Sequence, residues 1–347
     1  MKLDDTIQAI KRCGLSALRR AGAFQLARDS GWRRERLVIL CYHGISLHRE
    51  HRWRPLLYVS QDFFRRRLEL LRDGGFSVLP LDESIRRLVD GSLPERSVVL
   101  TFDDGFYDFY ARAFPVLEEF GYPATVYLST YYCLKERPVY PLILDYVLWR
   151  AEADVYRDVA LTGENFTLDL CTETSRRETA ARLQGYAERR DLDDLEKQEL
   201  VRRVAEKLNV DYASIRRQRF AQLMHRKEVE ELAGTEIDFQ LHTHRHRSPS
   251  SEDEYREEIQ VNRTAIESIT GDTPVHFCYP SGACHPRFAG WLRREGVATA
   301  VTDWPGTVSA DTDPMFLPRV LDHSGLSESE FLAWVTGLAS WLPHRRP

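Results

Sequence analysis

The 347-residue chain has six cysteines but no Cys-x-x-Cys pair, which excludes a zinc knuckle. Cys13, Cys41, Cys133, Cys171, Cys278 and Cys284 are too scattered for a dense disulfide framework, so a reduced compartment is the simpler reading. Positive charge is not in excess either. The formal net charge is −5, and the Lys and Arg residues are spread over helical segments without an interleaved aromatic box, so no nucleic-acid partner is expected. No window approaches the ~18 apolar residues of a membrane span. Met1–Arg36 lacks the uninterrupted apolar stretch of ~7–15 residues that a secretory signal needs, and the expected location is therefore cytoplasmic. On that reading Asn165-Phe166-Thr167 is a chance sequon. Internal repeats and low-complexity tracts are absent.

What the N-terminus does have is basic charge on a thin apolar stripe. Ile7, Ile10, Ala17, Leu18 and Ala21 recur at roughly helical spacing, beside Lys11, Arg12, Arg19, Arg20, Arg28, Arg33, Arg34 and Arg36. Residues 1–36 therefore read as a basic helical segment. It either touches a membrane surface peripherally or packs on the protein's own body, and the second reading is at least as strong because the stripe is thin and interrupted by Gly14 and Gly22.

Beyond it, β-like runs alternate with helical patterns. Leu37–Tyr42, Ser97–Phe102 and Ala124–Leu128 read as strands, with Gln61–Asp73 and Tyr110–Phe120 as helices between them. The order resumes with Ile237–Leu241, an amphipathic stretch near Glu254–Ile269, Val275–Tyr279, a helix near Arg287–Glu295, Val297–Val301 and Phe316–Leu321. Seven or eight such units imply a parallel α/β barrel over residues 37–326, followed by a C-terminal helix and tail at 327–347. The interruption at about 140–234 reads as an insertion. In it, Val155–Leu161 and Phe166–Cys171 form a hairpin around Gly163-Glu164-Asn165, and Arg176–Lys207 is one charged helix. Its Arg189-Arg190 and Arg216-Arg217-Gln218-Arg219 clusters could hold a phosphate, but a solvated, charged helix face is the commoner explanation and is preferred.

Chemistry is concentrated at strand ends. Thr101-Phe102-Asp103-Asp104-Gly105 puts two adjacent carboxylates after the apolar run Ser97–Leu100. His242-Thr243-His244-Arg245-His246 follows Ile237–Leu241 and places two imidazoles four residues apart. Two His and one Asp make an open site suited to Zn2+ or a similar divalent ion, with the other Asp left as a base. The Tyr279-Pro280-Ser281-Gly282 turn falls on the same rim, where barrels of this type collect their catalytic groups.

Together, Thr101–Gly105, His242-Thr243-x-x-His246 and Phe277-x-Tyr279-Pro280-x-Gly282 resemble the polysaccharide deacetylase (NodB-homology) family of carbohydrate esterases over about Leu37 to Ser324, apart from the insertion. The resemblance implies a distorted (β/α)7 barrel with a helical and hairpin insertion. It also implies metal-dependent removal of an N-acetyl group from an N-acetylhexosamine unit of a glycan or glycan precursor. Carried over residue by residue, Asp104, His242 and His246 become the metal ligands, with Zn2+ foremost and Co2+, Ni2+, Mn2+ or Fe2+ as alternatives. Asp103 becomes the general base.

The same likeness makes the Ser281 N–H, in the turn that Tyr279 opens, the holder of the oxyanion. The arginine that usually precedes this turn to tether the base is missing; Val275, His276 and Cys278 stand there. Arg319, after a late strand, resembles its replacement in a related branch. Two histidines compete to protonate the leaving amine: His43, at the end of the first strand before Gly44, and His323, in a Leu-x-His of the peptidoglycan-type branch. His43 is favoured because the Gly44 turn presents it on the rim. The expected partner is an N-acetylated amino-sugar glycan, with a lipid- or nucleotide-linked form foremost. The alternative is an inactive glycan-binding or scaffold protein of a polysaccharide assembly complex, which would have lost a ligand or the base. None is lost.

Overall fold

The computed structural model describes residues 14–161 and 163–341. The N-terminal positions Ile7, Ile10, Lys11, Arg12 and Cys13 and the tail from 342 onward lie outside the described residues. The chain divides into two compact units, residues 1–134 with 224–347, and residues 135–223.

The first unit is built on a parallel sheet. Its strands are β1 (Val38–Tyr42), β2 (Ser77–Val78), β3 (Ser97–Phe102), β4 (Ala124–Leu128), β5 (Ile237–Leu241), β6 (His276–Cys278), β7 (Thr299–Val301) and β8 (Val320–Leu321). They run in the order β7-β6-β5-β4-β3-β1-β8, with β2 added to β3, and every pairing is parallel. β1, β3 and β4 are buried along their whole length, which is why they read as unbroken apolar runs instead of alternating ones. The barrel closes irregularly between β7 and β8. There Leu317, just ahead of β8, donates to the Ala300 carbonyl at 2.9 Å and accepts from the Thr302 N–H at 2.8 Å. Leu37, Ile39, Val99, Tyr127, Cys278, Val301, Val308 and Leu317 pack the interior.

Amphipathic helices cover the sheet. Helix α1 (Gln61–Asp73) starts where the Ser60 hydroxyl accepts the Phe63 N–H, and it buries Phe64, Leu68 and Leu71 on one stripe. Helix α2 (Glu252–Thr270) starts at Ser251, stops at Gly271 in the left-handed region, and buries Tyr255, Ile259, Ile266 and Ile269. Two polar residues, Glu258 and Asn262, lie on that same buried stripe.

The described part of the N-terminal segment docks on the protein itself. Leu15, Phe24 and Ala27 pack with Ala333, Leu338 and Ala339 near the other end of the chain. Arg33, one of the charges that gave the segment its basic reading, is fully buried and donates to the carbonyls of Val335, Arg36 and Ser97.

In the second unit, helix Tyr140–Arg150 precedes an antiparallel hairpin of Val155–Leu161 and Glu164–Asp169. The Arg176–Lys207 run is two helices, Glu173–Arg189 and Asp194–Lys207. The break has a local cause: Asp193 accepts the Leu195 and Glu196 N–H groups while Glu196 reaches back to the Asp193 N–H, a capping box inside the run. Arg190 lies over the Tyr186 ring and Arg219 donates to Gln222 and the Leu223 carbonyl, which gives both clusters local partners.

Candidate active site

Four strand ends converge on one rim. Asp103 and Asp104 leave β3, His43 leaves β1, His242 leaves β5 and the Tyr279–Gly282 turn leaves β6. The turn after β3 is unusually tight: Asp104 sits at φ 70° and Gly105 at φ 82°. Gly105 is required by its φ, in the left-handed region, and a Cβ there would also press on the Leu128 side chain, 2.3 Å from its Cδ1.

The two carboxylates face different partners. Asp104 Oδ1 lies 3.3 Å from His242 Nε2 and 3.1 Å from His246 Nε2. Two donors each about 2.0–2.1 Å from one tetrahedral ion stand about 3.3 Å apart, so the three groups fit a small divalent metal. His242 is already oriented for this. Its Nδ1 bonds the Cys278 carbonyl at 2.9 Å, which fixes the ring with Nε2 facing Asp104. Burial opposes ionisation of Asp104, but the two imidazoles outweigh it and hold the carboxyl well below its ordinary range.

Asp103 is gripped from the other side. Arg319 Nη1 and Nη2 donate to its two oxygens at 2.7 Å each, a bidentate fork that is almost wholly buried. Burial again works against the charge, and the guanidinium again wins, so Asp103 stays ionised far below the usual carboxylate range. Arg319 is fixed in turn by the Thr302 carbonyl at 2.9 Å and the Thr101 hydroxyl at 3.2 Å. It lies one residue ahead of β8, not after a strand as its sequence context suggested.

Two thiols complete the cage: Cys41 Sγ and Cys278 Sγ lie 3.6 and 3.4 Å from Asp103 Oδ2. Cys278 occupies the stretch where the family's usual arginine is missing, and its sulfur touches Arg319 Nη2 at 3.2 Å. Cys41, His43 and Asp103 are also close enough to hold an ion, but burial keeps the Cys41 thiol protonated and Asp103 is already neutralised. The Asp104 trio is the better cation site.

His43 places Nε2 3.7 Å from Asp103 Oδ2, while its Nδ1 is buried with no hydrogen-bond partner among the described residues. Gly44 behind it abuts the Tyr58 ring, and Asp108, a buried carboxyl, accepts the Ile45 N–H at 3.0 Å; together they set the path of the chain beyond His43. His323 is turned to its own loop, where Nδ1 accepts the Gly325 N–H at 3.1 Å. His244 is buried against Thr130 Oγ1 at 2.9 Å and is not brought to the metal trio. Thr243 Oγ1 accepts the Arg247 N–H at 3.1 Å and so shapes the loop.

In the turn after β6, Ser281 takes a left-handed conformation at φ 54°. The Tyr279 hydroxyl donates to the Met315 carbonyl at 3.0 Å and the residue is 2% exposed, so its hydroxyl is already engaged away from the rim. Cys41, Cys278, Asp108, Glu258 and Asn262 were not legible as site residues. For the last two, a signal existed: polar side chains spaced i, i+4 on an otherwise apolar helix stripe.

A family model described as polysaccharide deacetylase matches residues 90–163 and 198–300. YxkH of Bacillus subtilis is 35% identical over 94 residues, 27% of this chain and 32% of that protein. The poly-beta-1,6-N-acetyl-D-glucosamine N-deacetylase of Escherichia coli K12 is 33% identical over 101 residues, 28% of this chain and 15% of that enzyme. The matched segment thus spans about a third or less of these curated relatives. Among solved structures, the Streptococcus pyogenes deacetylase PplD in complex with acetate aligns with a TM-score of 0.57 at 19% identity, covering 86% of this chain and 98% of that one. At that identity the likeness concerns the fold.

Proposed function

This chain belongs to the polysaccharide deacetylase family, and from that membership we propose that it is a metal-dependent hydrolase removing the N-acetyl group from an N-acetylhexosamine unit of a glycan or glycan precursor. The observation that carries the reading is the division of labour between neighbours: Asp104 faces two imidazoles while Asp103 faces a guanidinium.

Asp104, His242 and His246 would hold the ion, with Zn2+ foremost. When bound, such an ion supplies Lewis acidity at the acyl oxygen and lowers the pKa of water toward ~7. Asp103 then takes the proton of the attacking water, its orientation fixed by the Arg319 fork. The Ser281 N–H, in the left-handed turn, would hold the oxyanion. His43 delivers a proton to the nitrogen, so the C–N bond breaks to give acetate and a free amine. His43 is preferred to His323 because its ring nitrogen lies beside the base, whereas His323 caps its own turn.

The name of the Escherichia coli relative makes an N-acetylglucosamine oligomer the first probe. The reading extends to place: an intracellular enzyme acting on a lipid- or nucleotide-linked amino sugar, with exposed Leu18 next in the chain to exposed Arg19 and Arg20 supporting peripheral membrane contact. The test is acetate release from N-acetylglucosamine oligomers by metal-loaded and chelator-treated protein. Activity confined to the metal-loaded form, and lost in His246→Ala, supports the proposal. Equal activity after chelation would sink it.

A further inference from the structure

The loop after β5 carries both imidazoles of the proposed metal site in a backbone conformation that does not hold itself. Thr243 and His246 sit at φ 60° and 54°, a region that residues other than glycine seldom occupy. Such angles persist only where the surroundings over-determine them.

Those surroundings are one stripe of α2. Asn262, fully buried, accepts the His242 N–H through Oδ1 at 2.9 Å. Its amide donates to the Leu128 carbonyl at 2.9 Å and to Thr130 Oγ1 at 3.0 Å, so one side chain ties the start of the loop to the end of β4. One turn earlier, Glu258 is also fully buried and accepts the Arg245 N–H at 2.7 Å, Arg245 Nη1 at 2.9 Å and Arg247 Nε at 2.7 Å. Its own backbone carbonyl accepts the His244 N–H at 3.2 Å. Arg245 and Arg247 are the two neighbours of His246, so a single carboxylate grips the chain on both sides of that ligand. A helix that only needed to pack would put apolar side chains here, because an unmatched buried carboxylate is costly. Both polar groups are instead matched by hydrogen bonds, Glu258 to the loop and Asn262 to the loop and the chain at the end of β4.

We infer that Glu258 and Asn262 are positioning residues of the metal centre: they hold the His242–Arg247 loop so that both Nε2 atoms meet Asp104 Oδ1, and they thereby set the affinity for the divalent ion. The inference rests on the reading of Asp104, His242 and His246 as ligands.

The test uses the full chain stripped of metal, with Zn2+ affinity measured by competition against a chromophoric chelator and Co2+ absorption as a second readout. Glu258→Gln and Asn262→Asp should each weaken Zn2+ binding by about 10–100-fold, the range for partners that orient ligands. The Co2+ spectrum should change in both. Glu257→Gln, exposed on the same helix, should alter none of these. Parental affinity in both Glu258→Gln and Asn262→Asp, with His246→Ala losing the ion, overturns this inference alone. Parental affinity in His246→Ala overturns the ligand reading beneath it. If Glu258→Gln does not fold, Arg247→Ala removes one arm of the grip with the carboxylate kept: weakened binding supports the inference and unchanged binding overturns it.

Discussion

At Asp103 the buried ion pair and the proposed chemistry make separable demands. Arg319 neutralises and aims the carboxylate, and the same contact lowers its basicity, so orientation is obtained at some cost in proton affinity. Asp103→Asn should lower turnover by a factor on the order of 10²–10⁴ while the protein still binds one metal, because Asp103 is not a proposed ligand. Loss of metal together with turnover would show that the two carboxylates are not divided as proposed. Arg319→Ala, in contrast, leaves an uncompensated buried charge and should cost about 3–5 kcal/mol of stability in a denaturant titration. His43→Ala should depress turnover about as strongly as Asp103→Asn, and His323→Ala much less. A severe loss in His323→Ala with a mild one in His43→Ala would reverse the assignment of the acid.

Among the elements, the parts with a chemical signature were readable and the parts with only a packing signature were not. The Asp103-Asp104-Gly105 corner and the His242-x-x-x-His246 spacing announce themselves, because few structural uses need two adjacent carboxylates or paired imidazoles at a strand end. Glu258 and Asn262 do not, since a charged or polar residue in a helix usually faces water. For the same reason Arg33 read as surface charge although it lies buried under three carbonyls. The charged run at 176–207 hid its break because the capping box of Asp193 and Glu196 is written in residues that also suit a helix interior. Burial also hides a pH response where β6 meets β7. His276 is buried, bonded through Nδ1 to Thr299 Oγ1 at 2.8 Å, and burial lowers its pKa more than the nearby Asp82 raises it. The imidazole is therefore neutral in the fold and takes up a proton more readily once unfolded. Its contribution is present above about 6.5, the ordinary histidine value, and is lost as pH falls through the lower folded value. The thermal midpoint should drop between pH 7.5 and 5.5, and His276→Gln should flatten that slope. Parallel curves for the two proteins would show that His276 is not responsible.

For the whole molecule, the proposed metal site joins segments that share no direct ladder. Asp104 hangs from β3 and both histidines from β5, with β4 between them, so an ion held by all three bridges the sheet across an intervening strand. The unfolded chain offers no such convergence. An ion that binds only the native state stabilises it by RT ln(1 + [L]/Kd), about 4 kcal/mol when free metal is a thousandfold above Kd. At 2–4 °C per kcal/mol for a domain of this general size, the unfolding midpoint should rise by roughly 8–16 °C on loading Zn2+ into stripped protein. The rise should grow with the logarithm of metal concentration, disappear in Asp104→Ala and His246→Ala, and persist in Asp103→Asn. That last contrast is the informative one. A midpoint that ignores metal, or one that rises equally in His246→Ala, would mean that the three donors converge for some reason other than holding an ion.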